Sequence, residues 1–409
     1  MSSPSSTLGA RRAPVSTSRS GMPLAARSVL RFLEQLDTGR LHLELPDGRT
    51  YAFGPGGLEA DIVFHDWKAF GRILRDGDIG FAEGFLDGQW DSPHLPLLLT
   101  LLAANRTALD KPLYGSALGR LAHRLVHLLR SNTRAGSKRN IAAHYDLGND
   151  FYALWLDPGM TYSSALFSAG PDMPLERAQE AKYRRILERI APAPGSRILE
   201  IGCGWGGFAS MAAAEQCHVT GVTLSRAQLE FARARLAAEG HGERTEIAFR
   251  DYRDISGQYD AVVSIEMVEA VGERWWPAYL QKIASVLPRG GRAVVQSITI
   301  DDALFERYRR GSDFIQQYVF PGGMLPSRER FRALAREAGL RTVDEFCFGR
   351  DYARTLSLWR ERFFERAGEV RAQGFDERFM RLWDFYLSYC EAGFSVGSTD
   401  VVHFSLERE

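Results

Sequence analysis

The 409-residue chain has no run of about 18 consecutive apolar residues, which excludes a membrane-spanning helix. Cysteine is scarce. Cys203, Cys217, Cys347 and Cys390 stand far apart with no CxxC spacing, which argues against a zinc centre or a disulfide framework and fits a reducing cytoplasm. No metal site is expected. Net charge is absent, with 51 basic residues against 51 acidic ones, so a membrane or polyanion contact needs a local patch and no nucleic-acid partner is expected. Lysine occurs at five positions, and arginine carries nearly all the positive charge, a bias of composition that signals no ligand. The phosphate-loop pattern G-x-x-x-x-G-K-[ST] is missing from the one glycine-rich turn that follows a strand.

What is present divides the chain. Residues 1–24 are rich in Ser, Pro, Gly and Arg and contain no acid. They read as a disordered tail or a transit segment, and they lack the apolar core of a secretory signal. Residues 25–106 alternate like a small hairpin-rich domain: Leu41 to Leu45, Tyr51 to Phe53 and Asp61 to Phe64 read as strands, and Leu95 to Leu102 as an apolar helix. Residues 107–139 read as a linker whose Leu118 to Leu129 stretch is a basic amphipathic helix, suited to an anionic membrane surface or to packing on its own protein. Residues 140–409 alternate strand and helix, which predicts an α/β, doubly wound parallel sheet.

In that last region Arg197 to Ile201 reads as a buried strand. Gly202, Gly204 and Gly206 then make a tight turn, and Phe208 to Ala214 a helix. Further strands are read at His218 to Val222, Thr245 to Phe249, Tyr259 to Ile265 and Arg292 to Ser297. Helices are read at Arg226 to Glu239, capped by Ser225, and at Trp275 to Val286. Ligands of such sheets lie at the strand C-terminal ends, which gathers residues 202–206, 223–228, 251–253, 264–269 and 296–298 at one rim. A dinucleotide enzyme would carry an acid after the second strand; here Thr223-Leu224-Ser225 stands there, and Glu200 precedes the glycines. This arrangement, with the later Asp251-Tyr252 loop, resembles that of S-adenosylmethionine methyltransferases.

A narrower resemblance rests on several motifs in order. They are His144-Tyr145-Asp146-Leu147-Gly148-Asn149, Met160-Thr161-Tyr162-Ser163-Ser164, Gly202-Cys203-Gly204-Trp205-Gly206-Gly207, Phe320-Pro321-Gly322-Gly323 and Asp351-Tyr352-Ala353-Arg354. Together they resemble the cyclopropane-fatty-acyl-phospholipid synthase and mycolic acid methyltransferase family, over nearly all of the chain beyond about residue 65. The stretch from Arg75 to Trp90 resembles the N-terminal lipid-binding domain of the phospholipid enzymes. The resemblance implies a class I methyltransferase domain behind a smaller lipid-binding domain, with S-adenosyl-L-methionine as co-substrate. It assigns cofactor contacts to Tyr162, Ser163, Gly202, Cys203, Gly204, Gly206, Thr223, Gln228, Asp251, Tyr252 and Arg253; Arg253 stands where the mycolate enzymes have an acid. It further implies a membrane phospholipid with an unsaturated acyl chain as acceptor, peripheral contact with the inner face of the membrane from the cytoplasm, and a homodimer.

The implied chemistry is attack of the alkene on the cofactor's methyl, then proton loss from a carbocation that needs a dry, aromatic pocket. Tyr162, Phe167, Trp205, Tyr318, Phe320, Tyr352, Trp359 and Phe394 are available for it, and core packing accounts for most of them. In relatives that make cyclopropanes the base is a bound bicarbonate, held by a Cys, a Glu, a His and a Tyr. Here those positions carry Ser164, Glu269, Gln296 and Tyr352. In addition, Glu266 stands at a usual Gly and Ala270 at a usual His. A second carboxylate disfavours another anion beside it, so bicarbonate is doubtful and Glu266 is expected to take over part of its role. Cys390 matches a cysteine that the family has been described as using, and a buried structural thiol is the expected reading. Residues 301–327, where Phe305, Tyr308 and Phe314 interleave with Arg307, Arg309 and Arg310, are expected near a lipid entrance. The product can be a cyclopropane or a methylene- or methyl-branched chain. Two other readings stay open: a small-molecule N-, O- or C-methyltransferase, and a non-catalytic lipid-binding homologue.

Overall fold

In a computed structural model of the chain, residues 16, 18–113 and 147–409 are described, in two compact units, Met1–Ser116 and Ala117–Glu409. The expected linker helix at Leu118 to Leu129 and the His144-Tyr145-Asp146 part of the first motif lie outside the described residues.

In the first unit α1 (Leu24–Leu33) buries Ala26, Val29, Leu30 and Leu33 at helical spacing. Strands β1 (Gly39–Glu44), β2 (Thr50–Gly56), β3 (Glu59–Phe64) and β4 (Trp90–Asp91) form a sheet in the order β2-β1-β3-β4. Period-two alternation sends Leu41 and Leu43 into the core. Helices α2 (Lys68–Asp76) and α3 (Asp78–Leu86) fill the β3–β4 connection, and α4 (Leu95–Ala104) and α5 (Arg106–Leu113) follow. The glycine punctuation of this stretch has a packing cause: a Cβ on Gly80 would stand 2.3 Å from the Arg72 carbonyl oxygen. The end of the expected disordered tail is ordered instead. Ser16 N donates to Thr50 O at 2.8 Å, and the Arg49 guanidinium donates to the Ser18 and Ser20 carbonyls, so the hairpin turn holds the chain before α1.

Among the described residues the first elements of the second unit are α6 (Asn149–Ala153) and α7 (Leu175–Ile190). Then come β5 (Arg197–Ile201), α8 (Gly207–Ala214), β6 (His218–Thr223), α9 (Arg226–Ala238), β7 (Thr245–Phe249), β8 (Ala261–Ile265), α10 (Val268–Val271), α11 (Trp276–Val286) and β9 (Arg292–Ile300). Beyond them lie α12 (Asp302–Tyr308), α13 (Arg328–Glu337), β10 (Leu340–Cys347), α14 (Gly349–Glu365), α15 (Ala367–Ala372), α16 (Glu377–Ser395) and β11 (Thr399–Arg408). The seven-stranded sheet runs β10-β11-β9-β8-β5-β6-β7. Strands β9, β8, β5, β6 and β7 are parallel, and β11 is antiparallel to both neighbours. Successive β5 residues face opposite layers: Ile198 packs with Tyr183 and Phe208, and Leu199 and Ile201 pack with Trp276 and Leu280. The chain reverses its winding at β5, which opens a crevice at its C-terminal end.

The segment 301–327 differs from expectation. Phe305 and Phe314 are buried in this unit's own interior, and Arg309 pairs with Glu273 at 2.7 Å. Its aromatic face is spent on the protein core, because burial there removes the same apolar surface from water that a lipid would. Among the described residues no helix is long and apolar enough to cross a membrane.

Candidate active site

The crevice at the end of β5 begins with the glycine turn. Gly202 has φ +84°, and a Cβ there would meet the Met267 side chain at 2.9 Å, so backbone alone fits. Trp205 locks the turn to α6 by donating Nε1 to Asn149 Oδ1 at 2.8 Å. The cavity is lined by Tyr162, Ser163, Glu200, Gly202, Cys203, Gly204, Thr223, Gln228, Tyr252 and Glu266, among others. Thr223 Oγ1 donates to Gln228 Oε1 at 2.9 Å, which fixes that wall. Gly206, Asp251 and Arg253 are not part of the lining. Gly206 instead caps α8, and the Asp251 carboxylate is clasped by the Arg253 backbone N–H and guanidinium at 2.6–3.0 Å. Those two residues brace Tyr252 from behind, with the Arg253 guanidinium 5.5 Å from the Tyr252 ring centroid.

Beside this cavity lies an acidic cluster. Glu266 follows β8 with φ +48°, a backbone conformation a side chain rarely adopts. Its carboxylate accepts three hydrogen bonds: Ser164 N at 2.8 Å and Gln296 Nε2 at 2.6 Å on Oε1, and Tyr352 OH at 2.7 Å on Oε2. Gln296 is itself aimed by His403, whose Nε2 donates to Gln296 Oε1 at 2.8 Å and whose burial keeps the ring neutral. Burial raises the Glu266 pKa, against the pull of Lys182 and of the three donors. Glu269 stands on α10, and its Oε1 accepts from Ile298 N and Ser297 Oγ; its Oε2 is buried without a partner. Burial and the Glu266 charge push its pKa up to about 8. The two environments are therefore unequal: three donors and Lys182 favour the charged form of Glu266, whereas burial and the Glu266 charge favour the protonated form of Glu269.

The remaining expected residues sort as follows. Ser164 joins the cluster through its backbone N–H, because its hydroxyl turns to the Ala165 carbonyl. Tyr352, Trp359 and Tyr162 form a chain of rings with centroids 5.4–6.1 Å apart, and Phe394 stacks on Tyr352 at 4.5 Å. Tyr162 and Tyr386 share a hydroxyl hydrogen bond at 2.7 Å. Cys390 makes no hydrogen bond to the cluster among the described contacts, and burial pushes its thiol pKa up, so no thiolate nucleophile forms there.

A sequence model of the mycolic acid cyclopropane synthetase family matches residues 132–404. The chain belongs to that family. It is 40% identical to the tuberculostearic acid methyltransferase UfaA1 of Mycobacterium tuberculosis, over 99% of this chain and 97% of that one. It is 34% identical to the cyclopropane-fatty-acyl-phospholipid synthase of Escherichia coli, over 83% and 85%. The crystal structure of the mycolic acid cyclopropane synthase CmaA1 complexed with SAH and CTAB is similar with a TM-score of 0.62 and 29% identity, covering 66% of this chain and 98% of that one.

As a mycolic acid cyclopropane synthetase family member, the chain is a methyltransferase that uses S-adenosylmethionine as co-substrate. The cavity fits that molecule: Glu200 Oε2 and the Tyr252 hydroxyl are buried there without a partner, as polar groups that await a ligand are. Bicarbonate is disfavoured beside it: the Glu266 carboxylate already takes the single protons of Ser164 N–H and Tyr352 OH and one of the two on Gln296 Nε2, and its charge repels a second anion.

Two residues of the site were not legible in advance. His403 lies on β11, a strand buried on both faces and thus without period-two alternation. Lys182 lies on α7, with its amine donating to Ser163 Oγ at 2.6 Å. A lysine on the apolar stripe formed by Leu175, Ala178, Ile186 and Ile190 is the signal that could have marked it.

The raised Glu269 pKa predicts a stability effect. The folded state holds that proton up to about pH 8 while the unfolded state loses it near the ordinary glutamate value of 4.5. Wild-type stability therefore falls as pH rises through that window. Glu269→Gln, isosteric with the neutral acid, removes the penalty: its Tm advantage over wild type should grow from pH 5 to pH 8 in thermal melts, and a constant difference would refute the assignment.

Proposed function

We propose that this enzyme transfers the methyl of S-adenosylmethionine to the double bond of an unsaturated phospholipid acyl chain, and that Glu266 is the base that completes the reaction. The observation that carries this reading is the Glu266 carboxylate itself, seated on the three donors that the family resemblance assigns to a bound anion. The co-substrate supplies an electrophilic methyl on a sulfonium. The alkene's π pair forms the new C–C bond as the S–C bond breaks, and S-adenosylhomocysteine leaves with the S–C bonding pair. Positive charge remains on the other alkene carbon. The rings of Tyr162, Tyr352 and Trp359 shield it from water and face it with π density.

A 1,2-hydride shift moves that charge to the methyl-bearing carbon. Glu266 then takes a proton from the methyl, and the C–H pair becomes the π bond of a C=CH2 branch on the chain. We assign this methylene-branched chain as the product. The support is that UfaA1, similar over nearly the whole chain, is named a methyltransferase, whereas the more distant Escherichia coli relative is named a cyclopropane synthase.

A second cleft, of about 1010 Å3, supports an acyl approach. It is lined by Leu166, Phe167, Phe348 and Phe394, with Arg184, Arg185 and Arg350 among them. Phe394 is the residue stacked on Tyr352, so this apolar wall backs the catalytic carboxylate. Arginines suit a lipid phosphate, and in this reading the protein works from the cytoplasmic membrane surface as a peripheral enzyme.

Mass spectrometry of lipids from cells expressing the chain tests the proposal. The expected result is unsaturated phospholipids heavier by one CH2, with NMR showing vinylidene protons. Cyclopropane protons would overturn the product assignment. No gain in any lipid, with transfer to a soluble amine or hydroxyl, would overturn the whole reading.

A further inference from the structure

Residues Asp157 to Ser164 form a strap across the cofactor cavity. Asp157 turns it, accepting from Gly159 N at 2.8 Å and Thr161 N at 3.0 Å. One face of α7 then holds it at three successive points: Tyr183 OH donates to Thr161 Oγ1 at 3.3 Å, Gln179 Nε2 to Ser163 O at 2.9 Å and Lys182 Nζ to Ser163 Oγ at 2.6 Å. The spacing 179, 182, 183 places all three on one side of the helix. The strap carries Tyr162 into the cavity and ends on Ser164 N, a donor to Glu266.

Lys182 is fully buried, with 0% of its surface exposed. A buried ammonium needs compensating charge. The groups facing it are the carboxyls of Asp157 in the strap, Glu200 on β5 and Glu266 after β8. Tyr183 stands beside it on α7, with its ring centroid 4.6 Å from Nζ. Glu269 adjoins Glu266 and stays protonated, and His403, on β11, stays neutral under the combined influence of burial, Arg185 and Lys182.

We infer that Lys182 is a positioning residue for methyl transfer, one that holds the strap by Ser163 and supplies the positive charge that keeps the neighbouring Glu266 carboxylate ionised. This rests on Glu266 being the base. Burial lowers the Lys182 amine and the three carboxyls oppose it, with the balance at about 7, so below that pH the charge is held by those neighbours and not by solvent. The dependence is mutual: Lys182 is the main influence that opposes the effect of burial on Glu266. With the ammonium gone, Glu266 binds its proton more tightly, and the ionised base forms only at higher pH.

The test is the pH profile of single-turnover transfer in the full chain, with vesicles of unsaturated phospholipid as acceptor. Lys182→Gln keeps a donor for Ser163 and removes the charge. Its acid limb should move up by about one to three pH units, with S-adenosylhomocysteine binding and far-UV circular dichroism retained. Lys182→Arg keeps the charge and should leave the limb at the wild-type position while KM rises. A wild-type limb in Lys182→Gln overturns the inference. Should Lys182→Gln fail to fold, Lys182→Arg carries the test, and a limb displaced upward there overturns it. Failure of the underlying reading is separable: if Glu266→Gln turns over normally, Glu266 is not the base, whereas an inactive Glu266→Gln beside an unmoved Lys182→Gln limb rejects the Lys182 role alone.

Discussion

Glu266→Gln should lower the rate of the chemical step by about 10^2- to 10^4-fold, the usual contribution of a positioned general base, and leave the affinity for S-adenosylmethionine nearly unchanged. The amide matches the carboxylate in shape: its oxygen can still accept from Ser164 N and Gln296 Nε2, and its NH2 group can donate to the Tyr352 hydroxyl oxygen. What it cannot do is take a proton from a carbocation. Single-turnover methyl transfer to unsaturated phospholipid vesicles, with cofactor affinity measured alongside, separates the two effects. Full turnover with the wild-type product would remove Glu266 from the role. A loss of cofactor binding equal to the loss of rate would make it a structural residue.

Glu266→Gly should be inactive for the same reason and yet be rescued by bicarbonate. The backbone there has φ +48°, which glycine adopts freely, so the substitution relieves about 1 kcal/mol of local strain. It also leaves Ser164 N, Gln296 Nε2 and Tyr352 OH around an empty space of carboxylate shape, without the negative charge that excluded a second anion. Bicarbonate added to carbon-dioxide-free buffer should raise turnover by at least about tenfold, a part of the 10^2- to 10^4-fold that a positioned general base supplies. Glu266→Gln, in which the amide still fills that space, should show no rescue. Equal response of both variants, or of neither, would refute the account of why this chain dispenses with the small anion.

Much of this site was legible because its parts are short and local. A strand, three glycines and a helix state their geometry between Arg197 and Ala214. Glu266 stood out as a carboxylate at a position where the resemblance implies glycine. Other parts resisted for physical reasons. Arg253 clasps Asp251 two residues away, a pairing that the motif by itself does not state. Phe305 and Phe314 have the composition of a lipid-facing segment, and composition does not say on which side the apolar surface is buried. His403 and Gln296 are 107 residues apart and meet because β11 pairs with β9.

By itself the sequence determined the sheet, the co-substrate and the family, since each depends on hydrophobic period, on turns that demand glycine, or on motifs in a set order. It also marked Glu266, Gln296 and Ser164 as departures from the resemblance at the site of the bound anion. Only the tertiary structure decided how those residues meet. Which of two carboxylates stays ionised depends on how many donors converge on it and how deeply each is buried, and those donors come from the strap, from β9 and from α14. Lys182 shows the same limit. In the sequence it is a scarce residue without a role; packed beneath the strap with Asp157, Glu200 and Glu266 around it, it becomes the positive charge of an acidic pocket.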